Sequence, residues 1–199
     1  MKTVLKTAAI KEPVSLKEAK EHLRVTVGAT EDDDYIKSLV TVATERVQQI
    51  TRRKLITQTW YYYPDDWPVG DFIRLPYGGL QSVTAIKYTN SAEVEATFSA
   101  ADYYLVDINS DPGKVVLRYG ETWPSVTLSP SDPIEIEYIC GYGLTGSDVK
   151  ATIKHAIKFL ISDAYENRET MSIGQGFSVA KVNIVSDWLW PYKVHGVFT

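Results

Sequence analysis

The clearest periodicity in the chain runs from Glu31 to Lys54. Ile36, Leu39, Val40, Ala43, Val47 and Ile50 recur at the i, i+3, i+4, i+7 spacing that places them on one helical face. This predicts a helix over about residues 31–53, capped by Thr30 or Asp32. The acids Glu31 to Asp34 fall at the positive end of its dipole, and Arg52, Arg53 and Lys54 at the negative end. Upstream, Ser15 and Glu18 have capping-box spacing, while Leu16, Ala19 and Leu23 share a face. A short helix is expected over about residues 15–24. Residues 1–13 carry no firm period, end at Pro13, and read as an arm.

At Leu55 the period drops to two. "LITQTWYYY", "DFIRLP", "SVTAIKYT", "YYLVDI", "KVVLRYG" and "PIEIEYI" are β-branched and aromatic, and turn signals such as "YGG", "TNSAE", "NSDPGK" and "SPSDP" separate them. Five to seven short strands are expected over residues 55–140. The helical period then returns with Val149, Ile153, Ala156, Ile157, Leu160 and Ala164, predicting a helix over about 148–168 capped by Ser147. The Gly-containing loop "TMSIGQGFSV" and an aromatic tail follow. The fold class is therefore α+β: a small helical bundle from residues 1–54 and 141–170, an antiparallel β insertion over 55–140, and an extended C-terminal tail over 171–199.

Composition narrows the function classes. The apolar fraction, 44%, is enough for a sizeable core, and the net charge of −4 gives no global basic field for nucleic acid. No run approaches about 18 consecutive apolar residues, so no membrane span is expected. "MKTVLKTAAIKEP" is broken by Lys6 and Lys11 and lacks the apolar core of a signal peptide. The single Cys140 excludes an intrachain disulfide and a Cys-based zinc site; within "IEIEYIC" it reads as a buried thiol. A reducing, intracellular setting is expected.

Candidate chemistry is sparse. His22, His155 and His195 share no metal-ligand spacing, "EDDD" lacks the spacing of a calcium loop, and no catalytic or phosphate-binding fingerprint occurs. "GQGF" lacks the strand and helix that a phosphate loop needs. Asp65 and Asp66, beside Trp60, Trp67 and three tyrosines, raise the reading of a sugar-binding or glycosidase cleft. Adjacent residues on an extended chain point to opposite faces, however, and "PDDWP" is also a plain turn. Neither catalytic residues, a metal nor a cofactor is expected. Trp60, Tyr62, Asp65, Asp66 and Trp67 instead suit an interaction surface, since aromatics supply large contact area at low entropic cost.

In chain order, "PVSLKEAKEHLRV" (13–25), "DDYIKSLVTVATERVQQITRRKLITQTW" (33–60), "LPYGGLQSVTAIKY" (75–88), "IEYICGYG" (136–143), "AYENRE" (164–169) and "WLWPYKV" (188–194) resemble the head–tail connector, or adaptor, family of tailed bacteriophages and prophages. The resemblance spans about residues 13–194. It implies a non-enzymatic virion protein of the head–tail neck, assembled in the bacterial host cytoplasm. It further implies a homo-oligomeric ring, expected as a dodecamer, beneath the portal protein, with a docking surface for a tail-side stopper or tail-completion protein. Double-stranded DNA would pass through the lumen without sequence-specific binding, and no membrane is involved. The helical segments would form the ring body. Trp188, Trp190, Tyr192 and Phe198 would either anchor the tail to the portal or fold back onto the bundle as core. Two other readings stand beside this one: a virion or tail interaction protein that binds no portal, and the carbohydrate-active module at Asp65 and Asp66.

Overall fold

The computed structural model describes residues 1–108, 112–167 and 178–194. Those residues form four α-helices and two antiparallel sheets, an α+β chain. Two compact units divide it. One takes Ile10–Ile56 and the described part of Gly143–Lys193; the other takes Met1–Ala9, the described part of Thr57–Tyr142, and Val194.

The first unit holds α1 (Leu16–Leu23), α2 (Asp33–Thr51), α3 (Ala151–Glu166) and α4 (Ser178–Leu189). Its core follows most of the stripe read from the sequence: Ile36, Val40, Ala43 and Val47 of α2 meet Ile153, Ala156 and Ile157 of α3, joined by Ile161, which the sequence reading left out, while Leu160 is half-buried and Ala164 exposed. Burying an Ile or Val in full is worth about 1.5–3 kcal/mol, so this seam is a substantial part of the unit's stability. At α1 the capping box is complete. Ser15 Oγ accepts from the Glu18 backbone N–H at 3.2 Å, and Glu18 Oε2 accepts from the Ser15 backbone N–H at 2.9 Å.

The other caps differ from expectation. Asp32 is the N-cap of α2 but makes no capping bond; its carboxylate accepts from Tyr165 Oη of α3 at 2.6 Å, so a tertiary contact outcompetes the local one. Ser147 does not cap α3. Thr145 and Asp148 instead form a capping box on a short 3-10 turn, Gly146–Asp148, and α3 starts after Lys150. Lys20 is 2% exposed and closes the α1–α2 connection: its ammonium donates to the carbonyls of Val27, at 3.2 Å, and Ala29, and pairs with Asp33.

The second unit holds β1 (Lys2–Thr7), β2 (Gln58–Tyr63), β3 (Phe72–Arg74), β4 (Leu80–Thr89), β5 (Glu95–Thr97), β6 (Tyr103–Val106), β7 (Lys114–Leu117) and β8 (Ile134–Cys140). The larger sheet runs β1-β2-β8-β4-β5 and the smaller β3-β7-β6. β8 is central and alternates cleanly: Ile134, Ile136, Tyr138 and Cys140 are fully buried, while Glu135 and Glu137 lie on the opposite face. Cys140 is the buried free thiol the sequence indicated. The buried cluster joins both sheets through Tyr62, Ile86, Ile136 and Tyr138 on one side and Ile73, Tyr103, Val115 and Leu117 on the other.

Two segments correct the sequence reading. The arm at residues 1–13 contains strand β1, paired antiparallel to β2 with Lys2 opposite Tyr63 and Val4 opposite Tyr61. As an edge strand it buries almost nothing and takes its order from β2's backbone, so it leaves no hydrophobic pattern to read. The tail is not extended through Ser178–Leu189 but helical, with Val185 and Leu189 buried at i, i+4 spacing.

Glu18 links α1 to α3, because its Oε1 also accepts from Lys154 Nζ at 2.7 Å. Burial alone would raise its carboxyl. Hydrogen bonds from Lys154 and from the Ser15 backbone outweigh that and hold it down at about 2. A carboxyl depressed on folding stabilises above its unfolded pKa and loses that contribution as pH falls through the folded value. Glu18→Gln should therefore lower Tm above pH ~5 and converge on the wild type toward pH ~2. Thermal melts across that window test this, and a Tm gap independent of pH would contradict it.

Candidate functional site

β2 and the turn after it carry the aromatic and acidic cluster at residues 60–67. Strand alternation splits it. Trp60 and Tyr62 face the core: Tyr62 is 4% exposed, and Trp60 lies edge-on to Tyr77 at 4.8 Å. Burial, helped by Asp65, pushes the Tyr62 phenol above its ordinary value, and its hydroxyl lies 3.5 Å from Met1 Sδ. Trp67 also turns inward. Its ring stacks on Trp123 at 5.1 Å and meets Phe98 and Tyr88, each at 5.9 Å. Trp123 is fixed by its indole N–H, which donates to the Gly70 carbonyl at 2.9 Å. No sequence period marks Trp123, which lies in an irregular stretch, so its partnership with Trp67 escaped the sequence reading.

The two carboxylates are separated as well. Asp65 accepts from the N-terminal amine at 2.8 Å, and Asp66 Oδ1 accepts from the Trp67 backbone N–H at 2.8 Å. Both are exposed, and they are engaged separately, Asp65 by the distant N-terminus and Asp66 within its own turn. Of the five residues read as one surface, Tyr62 belongs to the core and Trp60 and Trp67 pack against it, leaving Asp65 and Asp66 outside.

Tyr61 and Tyr63 occupy the opposite face of the larger sheet, which is laced with ion pairs. Lys6 pairs with Glu137 at 2.7 Å, Lys2 with Asp132 at 2.7 Å and Lys87 with Glu95 at 2.9 Å; Tyr63 Oη donates to Glu135 at 2.7 Å. Lys2 and Lys6 also lie 5.0 Å from the ring centres of Tyr63 and Tyr61. The hydrogen bond to Glu137 raises Lys6 to about 12. Glu135 and Glu137 thus lie on a polar face in which cation and anion answer each other across strands.

The C-terminal aromatics divide in the same way. Trp188 packs on α3, 5.0 Å from His155 and edge-on to Phe159 at 5.6 Å. Tyr192 is half-buried, its hydroxyl 3.4 Å from Thr152 Oγ1. Trp190 projects outward, 63% exposed, with Lys193 Nζ 5.8 Å from its ring centre. Phe198 and His195 lie outside the described residues. Arg53, which the sequence assigns to the dipole of α2, has another task. It is 6% exposed, and its Nε donates to the Tyr192 carbonyl at 2.6 Å, tying down the turn that presents Trp190. His22 meets His155 edge-on at 6.3 Å; burial, then Lys158 and His155, lower its pKa. Among the described residues, no cluster of three or more His, Cys, Asp or Glu side chains could hold a metal ion, and no helix is long and apolar enough to cross a membrane.

Part of the chain is similar to a known family. Residues 13–108 match the family described as Phage gp6-like head-tail connector protein. That segment, just under half of the chain, is similar to the connector family. The whole chain shares its fold with a chain in the neck of an empty GTA particle computed with C6 symmetry, at TM-score 0.81 and 22% identity, covering 100% of this chain and 98% of that one. A chain in the virion of a native gene transfer agent particle aligns at TM-score 0.78, and one in the neck of a native GTA particle computed with C12 symmetry at 0.77; each is 21% identical, with 100% and 98% coverage. No curated protein matches the chain. The connector match supports a structural role in the virion.

The Arg53 contact yields a direct test. A hydrogen bond from a charged donor is worth about 1.5–3 kcal/mol, so Arg53→Ala should speed local amide exchange in residues 186–193 by about tenfold or more. Exchange mass spectrometry reads this directly; unchanged protection there would show that Arg53 does not hold the turn.

Proposed function

We propose that the connector assembles as a ring beneath the portal of a tailed phage or phage-like particle and gives tail-side proteins a docking surface. It does so without catalysis or cofactor. The family match over residues 13–108 carries this reading, and the neck origin of chains sharing the fold supports it. Ring closure requires a head-to-tail interface between copies related by rotation. The net charge of −4 suits a lumen through which duplex DNA passes without being gripped. Assembly in the host cytoplasm follows from the same reading, as does a tail-side stopper or tail-completion protein as the second partner.

For the portal side, the favoured anchor is the C-terminal turn. Trp190 is a large exposed aromatic held on a turn braced by Arg53, and a fixed aromatic loses little entropy on docking. Trp188 and Tyr192 serve the helical packing beneath it, and Phe198 stays part of the proposed contact by sequence alone. Trp190→Ala should leave the circular dichroism spectrum intact and weaken binding to the cognate portal by about tenfold or more, the loss expected of an interface hot spot. Co-sedimentation with portal rings measures it. Wild-type protein that ignores the portal would remove the reading, and wild-type affinity in Trp190→Ala would remove the anchor.

A further inference from the structure

The outward face of the smaller sheet differs from that of the larger one. Phe72 and Tyr104 are both directly opposite Val116, so the three side chains form one row across β3, β7 and β6. Phe72 is 41% and Tyr104 46% exposed, and Val116 is half-buried between them. Ile73, Val115 and Leu117 point the other way into the core, which fixes the row as outward. Val106, beside Lys114 in the register, extends the apolar surface.

Three basic side chains flank the row. Arg74 Cζ lies 5.4 Å from the Phe72 ring centre and Arg118 Cζ 5.9 Å from that of Tyr104. Lys114 completes the rim, paired with Asp107 at 2.8 Å. On the larger sheet Lys2, Lys6 and Lys87 are each paired with an acid. Here guanidinium groups lie over exposed aromatic rings, the composition in which interface hot spots concentrate.

We propose that this face is the contact between neighbouring copies of the chain, with Phe72, Tyr104 and Val116 as its apolar centre and Arg74 and Arg118 as its charged rim. The occupant is a second copy because of charge. The chain carries 25 acids against 21 bases, and acids such as Glu31 and Glu45 are exposed, so a second copy has acidic surface to offer an arginine rim. Rotational closure also demands that a patch on one copy meet a different patch on the next, and a basic face meeting an acidic one satisfies that demand. The inference rests on the ring reading above.

The test places the photo-crosslinker p-benzoylphenylalanine at position 104 of the full chain and irradiates the ring assembled with its portal. A crosslinked product of two chains, mapped by mass spectrometry, is expected. A formed ring whose position 104 crosslinks to the portal or a tail-side protein, or to nothing, overturns this inference and leaves the ring reading standing. A wild-type chain that forms no ring overturns both. As a second variant, Arg118→Glu should reduce ring assembly by about tenfold at unchanged Tm. Assembly at wild-type level would count against the proposal.

Discussion

The chain leaves the helical unit after Ile56 and re-enters it at Gly143, and these two residues are paired. Ile56, 3% exposed, forms a parallel bridge with Gly143, so the strand that leaves the helical unit and the strand that returns to it lie side by side. This pairing joins residues far apart in sequence, so its closure entropy falls on folding as a whole. Gly143 is required there: a Cβ would approach the Asp148 carboxyl at 2.4 Å, and Asp148 is committed to the Thr145 capping box. Just beyond the bridge, Gln58 pairs with Cys140, and the β2–β8 register that organises the larger sheet follows. A helical packing unit and a sheet unit can then each satisfy their own period.

Within each unit, aromatic residues do two different jobs, and burial separates them. Tyr62, Tyr138, Trp67 and Trp123 fill space between or against the sheets, and Trp188 seats α4 on α3. Phe72, Tyr104 and Trp190 stay exposed, each with a cation near its ring. The second group costs solvation and contributes nothing to the core, which is the pattern of residues kept for contact.

Much of the fold was readable because strong periodicity reflects burial on one face. Three helices and six strands followed from it, as did the Ser15–Glu18 capping box. What escaped was order imposed from outside the segment. β1 is an edge strand templated by β2, and Asp32 surrenders its cap to Tyr165. Arg53 looked like a dipole cap because its partner, the Tyr192 carbonyl, is distant in sequence. The cluster at 60–67 read as one surface because composition cannot tell which strand face meets a second sheet. Phe72 and Tyr104 drew no notice for the converse reason: each is one aromatic in a short strand, and only the register brings them to Val116.

Native mass spectrometry of the purified chain, alone and mixed with its cognate portal, tests the central claim most directly. The account predicts a closed multimer, or a ring of defined copy number that forms only on the portal. A monomer that persists in the presence of the portal would contradict it.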